Sequence, residues 1–250
     1  MAANRNSLVA YFDILGYQSF LKTNSDLETA ENVFHLVKNA PKNALASWSE
    51  LELTKTDEDF KQISKSIQSL VFSDTIVVSC PISEIDNSDK CEKHIAFTAA
   101  IAAHITLSMF NAGLPVRGVI THGSFIFAET CIAGHAVVDA HQLCQSLDLA
   151  GTAFSPELSA LIDKYYEVDK IWNSICPYYL LPLKNGSELK TRSVSWINLK
   201  GDSITEVRES FWKWNKDIPG SVDRKVHNTA KMIDFFRMLD EQEEKKAKKS

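Results

Sequence analysis

Residues 8–17 read LVAYFDILGY, an apolar run that ends in an acid and is stopped by Gly16. This is the pattern of a buried strand running into a turn, and it puts Asp13 at the strand end. A second segment, IQSLVFSDTIVVSC at residues 67–80, has two β-branched apolar runs separated by the polar pair Ser73 and Asp74. It reads as a hairpin with a tight connection, and Asp74 is then exposed at its tip.

Between these segments, Ser25 and Glu28 have capping-box spacing, and Leu27, Ala30, Val33, Phe34 and Val37 recur at helical intervals. A helix beginning near Ser25 is expected. After the hairpin, residues 93–113 are apolar around most of a helical circumference and end in Asn111 and Gly113, as suits a buried helix with a C-terminal stop. LPVRGVITHGSFIFAE, residues 114–129, predicts two short strands about Gly123. Gly134 to Leu149 predicts a helix with Ala136, Ala140 and Leu143 on one side.

The order β-α-β-β-α-β-β-α fits an α+β class with a ferredoxin-like core, in which two helices cover one face of an antiparallel sheet. In that arrangement the end of the first strand lies beside the central hairpin, so Asp13 and Asp74 converge. Two carboxylates at one sheet edge suit Mg²⁺ or Mn²⁺, which prefer hard oxygen ligands. Taken singly, each acid would be an ordinary turn residue.

Residues 1–155 are expected to form this core, and residues 156–240 to complete the same domain. The latter stretch predicts strands in YYLLPL (178–183) and SVSWINL (193–199), and helices around Glu206–Trp214 and Val226–Leu239. Phe211, Trp212, Trp214, Phe235 and Phe236 form an aromatic stripe of the kind that packs a core. Residues 241–250 form a charged tail, expected to be solvated and frayed.

Composition is that of a folded globular chain, with 44% hydrophobic and 24% charged residues. A formal charge of −5 argues against a general nucleic-acid-binding surface while leaving room for a local cationic pocket. Neither a membrane-spanning run nor a secretory leader is read from the sequence, so a cytoplasmic protein not embedded in a membrane is expected. The five cysteines are scattered without a CxxC pair, which predicts reduced thiols rather than a disulfide framework or zinc site. His135 and Asp139 are four apart on a predicted helix but have no third metal ligand at matching spacing.

Four motifs together carry a resemblance. YFDILGYQSF (11–20) resembles the first metal motif of class III nucleotide cyclases, FxDIxGF, and LVFSDTIVV (70–78) resembles their second, with Ser73 in place of the usual Gly. PVRGVITHG (115–123) resembles the strand that follows, and GHAVVDAHQL (134–143) is similar to the GxxVNxAxRL helix. The resemblance implies a cyclase that forms a homodimer, with Asp13, Asp74 and the Ile14 carbonyl on two Mn²⁺ or Mg²⁺ ions. It also places the Gly16–Tyr17 turn on the triphosphate.

The departures are informative. Val138 stands where the family has Asn, and Gln142 where it has Arg, so the usual transition-state pair is missing. Arg117, Lys200 and Lys231 are the candidate replacement cations. At the two purine-reading positions stand Leu70 and Cys131, matching neither the adenine nor the guanine pattern. This combination resembles the stand-alone pyrimidine cyclases of bacterial antiphage systems. It implies a uridylate cyclase, with CTP second, whose cyclic nucleotide diffuses to a separately encoded effector. The alternatives are a purine cyclase acting on ATP or GTP, and a catalytically silent cyclase-like regulator.

Overall fold

The computed structural model describes residues 5–49, 56–82, 84–86, 88–128, 131–166, 170–196, 202–216 and 222–248. The first half contains β1 (Arg5–Ile14), α1 (Tyr17–Thr23), α2 (Leu27–Ser49), α3 (Glu58–Ser66), β2 (Gln68–Phe72), β3 (Thr75–Pro81) and α4 (Asp89–Asn111). Then follow β4 (Val116–Ala128), β5 (Cys131–Ala133), α5 (His135–Ser146), β6 (Gly151–Phe154), α6 (Pro156–Tyr165) and α7 (Lys170–Ile175). The chain continues through β7 (Tyr178–Pro182), β8 (Glu188–Arg192), α8 (Ser203–Trp212), a 3₁₀ turn at Lys213–Asn215, and α9 (Val222–Ala247).

The main sheet runs β2-β3-β1-β4-β5, with β6 pairing parallel to the first part of β4. The β2, β3, β1 and β4 pairings are all antiparallel, which is the expected ferredoxin-like order. Central β1 is buried on both sides, which explains its unbroken apolar sequence. Because strand side chains alternate, Leu8, Ala10, Phe12 and Ile14 enter one core with residues of α2 and α4. Val9, Tyr11 and Leu15 enter a second core with α5 and the C-terminal helices α8 and α9. Both sheet faces are thus covered, the second by an α5 stripe of buried Ala136, Ala140 and Cys144. Truncating Phe12, which has no exposed surface, to Ala would cost about 3–5 kcal/mol.

Several local expectations are corrected. The α2 start is capped by Asp26 rather than Ser25: its Oδ1 accepts from Thr29 N–H at 2.7 Å. Gly123 does not divide the strand. β4 runs through it opposite Ser7 of β1, and a Cβ there would make only ordinary contact, 3.6 Å from that of Ala136 on α5. The partner of β7 is ELKTR at 188–192, whereas SVSWINL contributes only the Ser193 bridge to Ala153 and its residues 197–199 lie outside the described residues.

The first residues of the charged tail are not frayed. α9 extends to Ala247, with Lys245–Glu241 and Lys246–Glu243 spaced to pair on a helix. In the aromatic stripe Phe211 and Phe236 are buried, while Trp212 is exposed and Trp214 leaves the helix with a φ of 70°. α4 is long and apolar enough to cross a membrane by length and composition alone, and 61% of that window is buried inside the fold.

Candidate active site

The site grows from the end of β1. Asp13 lies opposite Thr75 on β3 and Arg117 on β4. The Ile14 N–H donates to the Asp74 carbonyl at 2.9 Å, and Leu15 N–H to the Pro115 carbonyl at 2.8 Å, so the chain leaving β1 is pinned from both neighbours. This brings the two acids of the sequence reading to one sheet end. The β2–β3 turn needs Ser73 at a φ of 53°, a left-handed conformation that strains a non-glycine residue by roughly 1–2 kcal/mol. Gly16 takes a φ of 76° without that strain, and its carbonyl receives the first bond of α1 from Phe20 N–H.

Arg117 is buried beneath this end. Its Nε and Nη2 lie 2.8 and 2.7 Å from Asp13 Oδ2, and Nη2 also donates to Gln145 Oε1 at 2.6 Å. Its own carbonyl accepts from the Cys144 thiol at 3.3 Å. Burial pushes that thiol up to about 12, which leaves it protonated and inert. Tyr11 meets the His141 ring edge-on with centroids 5.5 Å apart, and its hydroxyl is 3.3 Å from Thr75 Oγ1. Burial raises the Tyr17 phenol, and the charge of Asp74 adds to the effect.

A cleft of about 820 Å³ opens over these groups, lined by Asp13, Ile14, Gly16, Tyr17, Asp74 and Arg117 from the sequence reading. It also takes in Lys22 from α1, Lys184 from the β7–β8 turn and Lys225 from α9. Lys225 is 3.5 Å from the buried Asp148 carboxylate. The Lys184 ammonium is lowered by burial and then by the charges of Arg117 and Lys225. Cations that repel one another in one cleft form a place for a multivalent anion.

Other expected residues lie elsewhere. Leu70 is half-buried on β2, Cys131 exposed on β5 and Lys231 exposed on α9, and none of the three lines this cleft. Lys200 is outside the described residues. Val138 and Gln142 are exposed on α5, as are His135 and Asp139. Among the described residues, no group of three or more His, Cys, Asp or Glu side chains could hold a metal ion. Lys184 was missed, although the adjoining Asn185-Gly186 pair is a hairpin signal that would have located its turn.

No family model and no curated protein matches this chain. Solved structures do. A bacterial light-regulated adenylyl cyclase aligns with a TM-score of 0.50 over 86% of this chain, at 11% sequence identity. The chain has the fold of a nucleotide cyclase. It spans 59% of that structure's length, so the likeness concerns the cyclase fold and the chemistry rests on the site itself. The guanylyl cyclase Cya2 aligns at a TM-score of 0.45 and 12% identity over 79% of this chain and 95% of its own. The adenylate/guanylate cyclase/hydrolase from Silicibacter pomeroyi aligns at 0.42 and 14%, over 77% and 96%.

Two carboxylates and a main-chain carbonyl on one cleft suit Mg²⁺ or Mn²⁺, hard ions that complete their shells with water and phosphate oxygens. Asp13, Asp74 and the Ile14 carbonyl would hold them. Asp13 Oδ2 already carries the guanidinium, and the residue lines the cleft.

Proposed function

We propose that this chain is a nucleotide cyclase that converts a nucleoside triphosphate to the 3′,5′-cyclic monophosphate and pyrophosphate. One observation carries the reading: Asp13 and Asp74 share a cleft with Lys22, Lys184 and Lys225, giving carboxylates for divalent cations beside ammonium groups for phosphates. The 3′-oxygen bonds to the α-phosphorus, the bond from that phosphorus to the pyrophosphate oxygen breaks, and the hydroxyl proton is lost to solvent. Bound divalent ions supply charge neutralisation on the phosphates and favour ionisation of the attacking hydroxyl.

This chain's residues bind and orient. Lys184 and Lys225 line the cleft with both acids and take the place of the missing helix Arg in this reading. The Gly16 turn lets main chain approach the phosphates closely. Arg117 holds Asp13 and is the positioning cation of the site rather than a free phosphate ligand.

The substrate we propose is UTP, with CTP second, because Leu70 offers a base no side-chain hydrogen bond and Cys131 only a weak one. A single-ring pocket rejects purines by size. Leu70 and Cys131 lie away from the Asp13 cleft, which supports a head-to-tail homodimer in which one subunit supplies the metals and the other the base pocket. The resemblance to antiphage pyrimidine cyclases supports a signalling role through a separate effector. The second reading, a purine cyclase, is favoured by the adenylyl and guanylyl cyclases among the structural neighbours.

Relative kcat/KM for UTP, CTP, ATP and GTP at matched Mn²⁺ and ionic strength decides between them. UTP first and purines last is expected; preference for ATP or GTP refutes the pyrimidine reading and leaves the cyclase reading standing.

A further inference from the structure

Lys216 is an unusual residue to find inside a fold, with only 3% of its surface exposed. Its ammonium donates to the Gly113 carbonyl at 2.7 Å, one partner among the described residues for a group with three donors. It ends a short segment that seals the C-terminus of α4. Lys213 Nζ donates to the Asn111 carbonyl at 3.1 Å and Trp214 Nε1 to the Ala112 carbonyl at 2.8 Å. The same segment grips α1: the Trp214 carbonyl accepts from Asn24 Nδ2 at 2.7 Å, and the Trp214 ring meets Phe20 edge-on.

Lys216 also lies directly behind the cleft. A methyl group placed on Gly16 would be 3.4 Å from Lys216 Cδ and 4.0 Å from its Nζ, and Gly16 lines the cleft. Capping one carbonyl does not require a charge, since a neutral amide would serve; among the described residues no carboxylate pairs with this ammonium, and burying an unpaired one is costly. An anion bound on the other side of Gly16 would supply a counter-charge.

We infer that Lys216 is a positioning residue for the anionic part of the ligand, its ammonium seated beneath Gly16 so that positive charge and a fixed turn face the bound phosphates. This rests on the reading of the cleft as a triphosphate site. The residue acts through Gly16 and does not itself line the cleft.

The test is calorimetric titration of the full-length protein with Mn²⁺ and inorganic tripolyphosphate. Lys216→Gln keeps a donor for Gly113 and removes the charge, so binding weakens about tenfold or more, as loss of a unit charge at short range through protein implies. Lys216→Arg stays within about threefold of wild type, and Lys213→Met, on the exposed side of the segment, is unchanged. A purely structural role would be rescued by Gln. Tripolyphosphate binding by Lys216→Gln equal to wild type overturns the inference alone. Failure of the wild-type protein to bind tripolyphosphate overturns the inference together with the triphosphate reading of the cleft.

Discussion

Two donors of Arg117, Nε and Nη2, converge on a single oxygen of Asp13, at 2.8 and 2.7 Å. The pair is nearly dry, with 7% and 14% of the two side chains exposed. A guanidinium thus fixes one oxygen of a carboxylate that lines the cleft. Removing either partner strands a charge.

Arg117→Met is therefore expected to lower stability by about 3–5 kcal/mol, the range for breaking a buried ion pair. Mn²⁺ supplies a substitute positive charge. The rise in thermal midpoint on adding Mn²⁺ should be larger for the variant than for wild type, measured by calorimetry at matched ionic strength. An equal rise in both would mean that Asp13 is not a metal ligand.

Asp13→Ala and Asp74→Ala should both abolish product formation but differ in stability. The first leaves Arg117 buried without its carboxylate. The second removes a half-buried turn side chain and keeps the main-chain bond from Ile14 N–H to the residue 74 carbonyl. Asp74→Ala should stay within about 1 kcal/mol of wild type while Asp13→Ala loses about 3 kcal/mol or more. Equal stabilities in denaturant titration would contradict the Arg117 assignment.

Much of this site was legible because strand order is legible. The apolar run at 8–14 and the polar pair at Ser73–Asp74 are local signals, and the ferredoxin-like order alone brings their acids together. Arg117 was visible as a cation in a strand but not as the partner of Asp13, because the pairing follows from a register between β1 and β4 that no local pattern states. Lys225 was hidden for the same reason: a helix of the C-terminal stretch reaches the cleft only through tertiary packing. Gly123 suggests a break between two strands in sequence, but the ladder to β1 continues through it, with Gly123 opposite Ser7, a register that no local pattern states.

Lys216 carries a pH signature. Burial lowers its ammonium to about 8 from the 10.5 of a free lysine. Between those values the unfolded chain holds a proton that the folded one has released, so the folded state gains stability as pH rises through the window. Below it, the full penalty of the buried charge is present. Lys216→Met should be more stable than wild type near pH 7, by on the order of 3 kcal/mol at most, and the difference should shrink toward pH 10. Denaturant midpoints at pH 7, 8.5 and 10 check this, and a constant difference would contradict it.

The proposed role of Asp13 and Asp74 is to make this fold a metal-dependent cyclase. It is tested most directly by following UTP by ³¹P NMR with the purified protein and Mn²⁺, alongside Asp74→Ala under the same conditions. A cyclic monophosphate resonance and an equal amount of pyrophosphate are expected from wild type, and neither from Asp74→Ala. Cyclic product at the wild-type rate from Asp74→Ala, or no cyclic product from wild type with UTP, CTP, ATP or GTP, would contradict it.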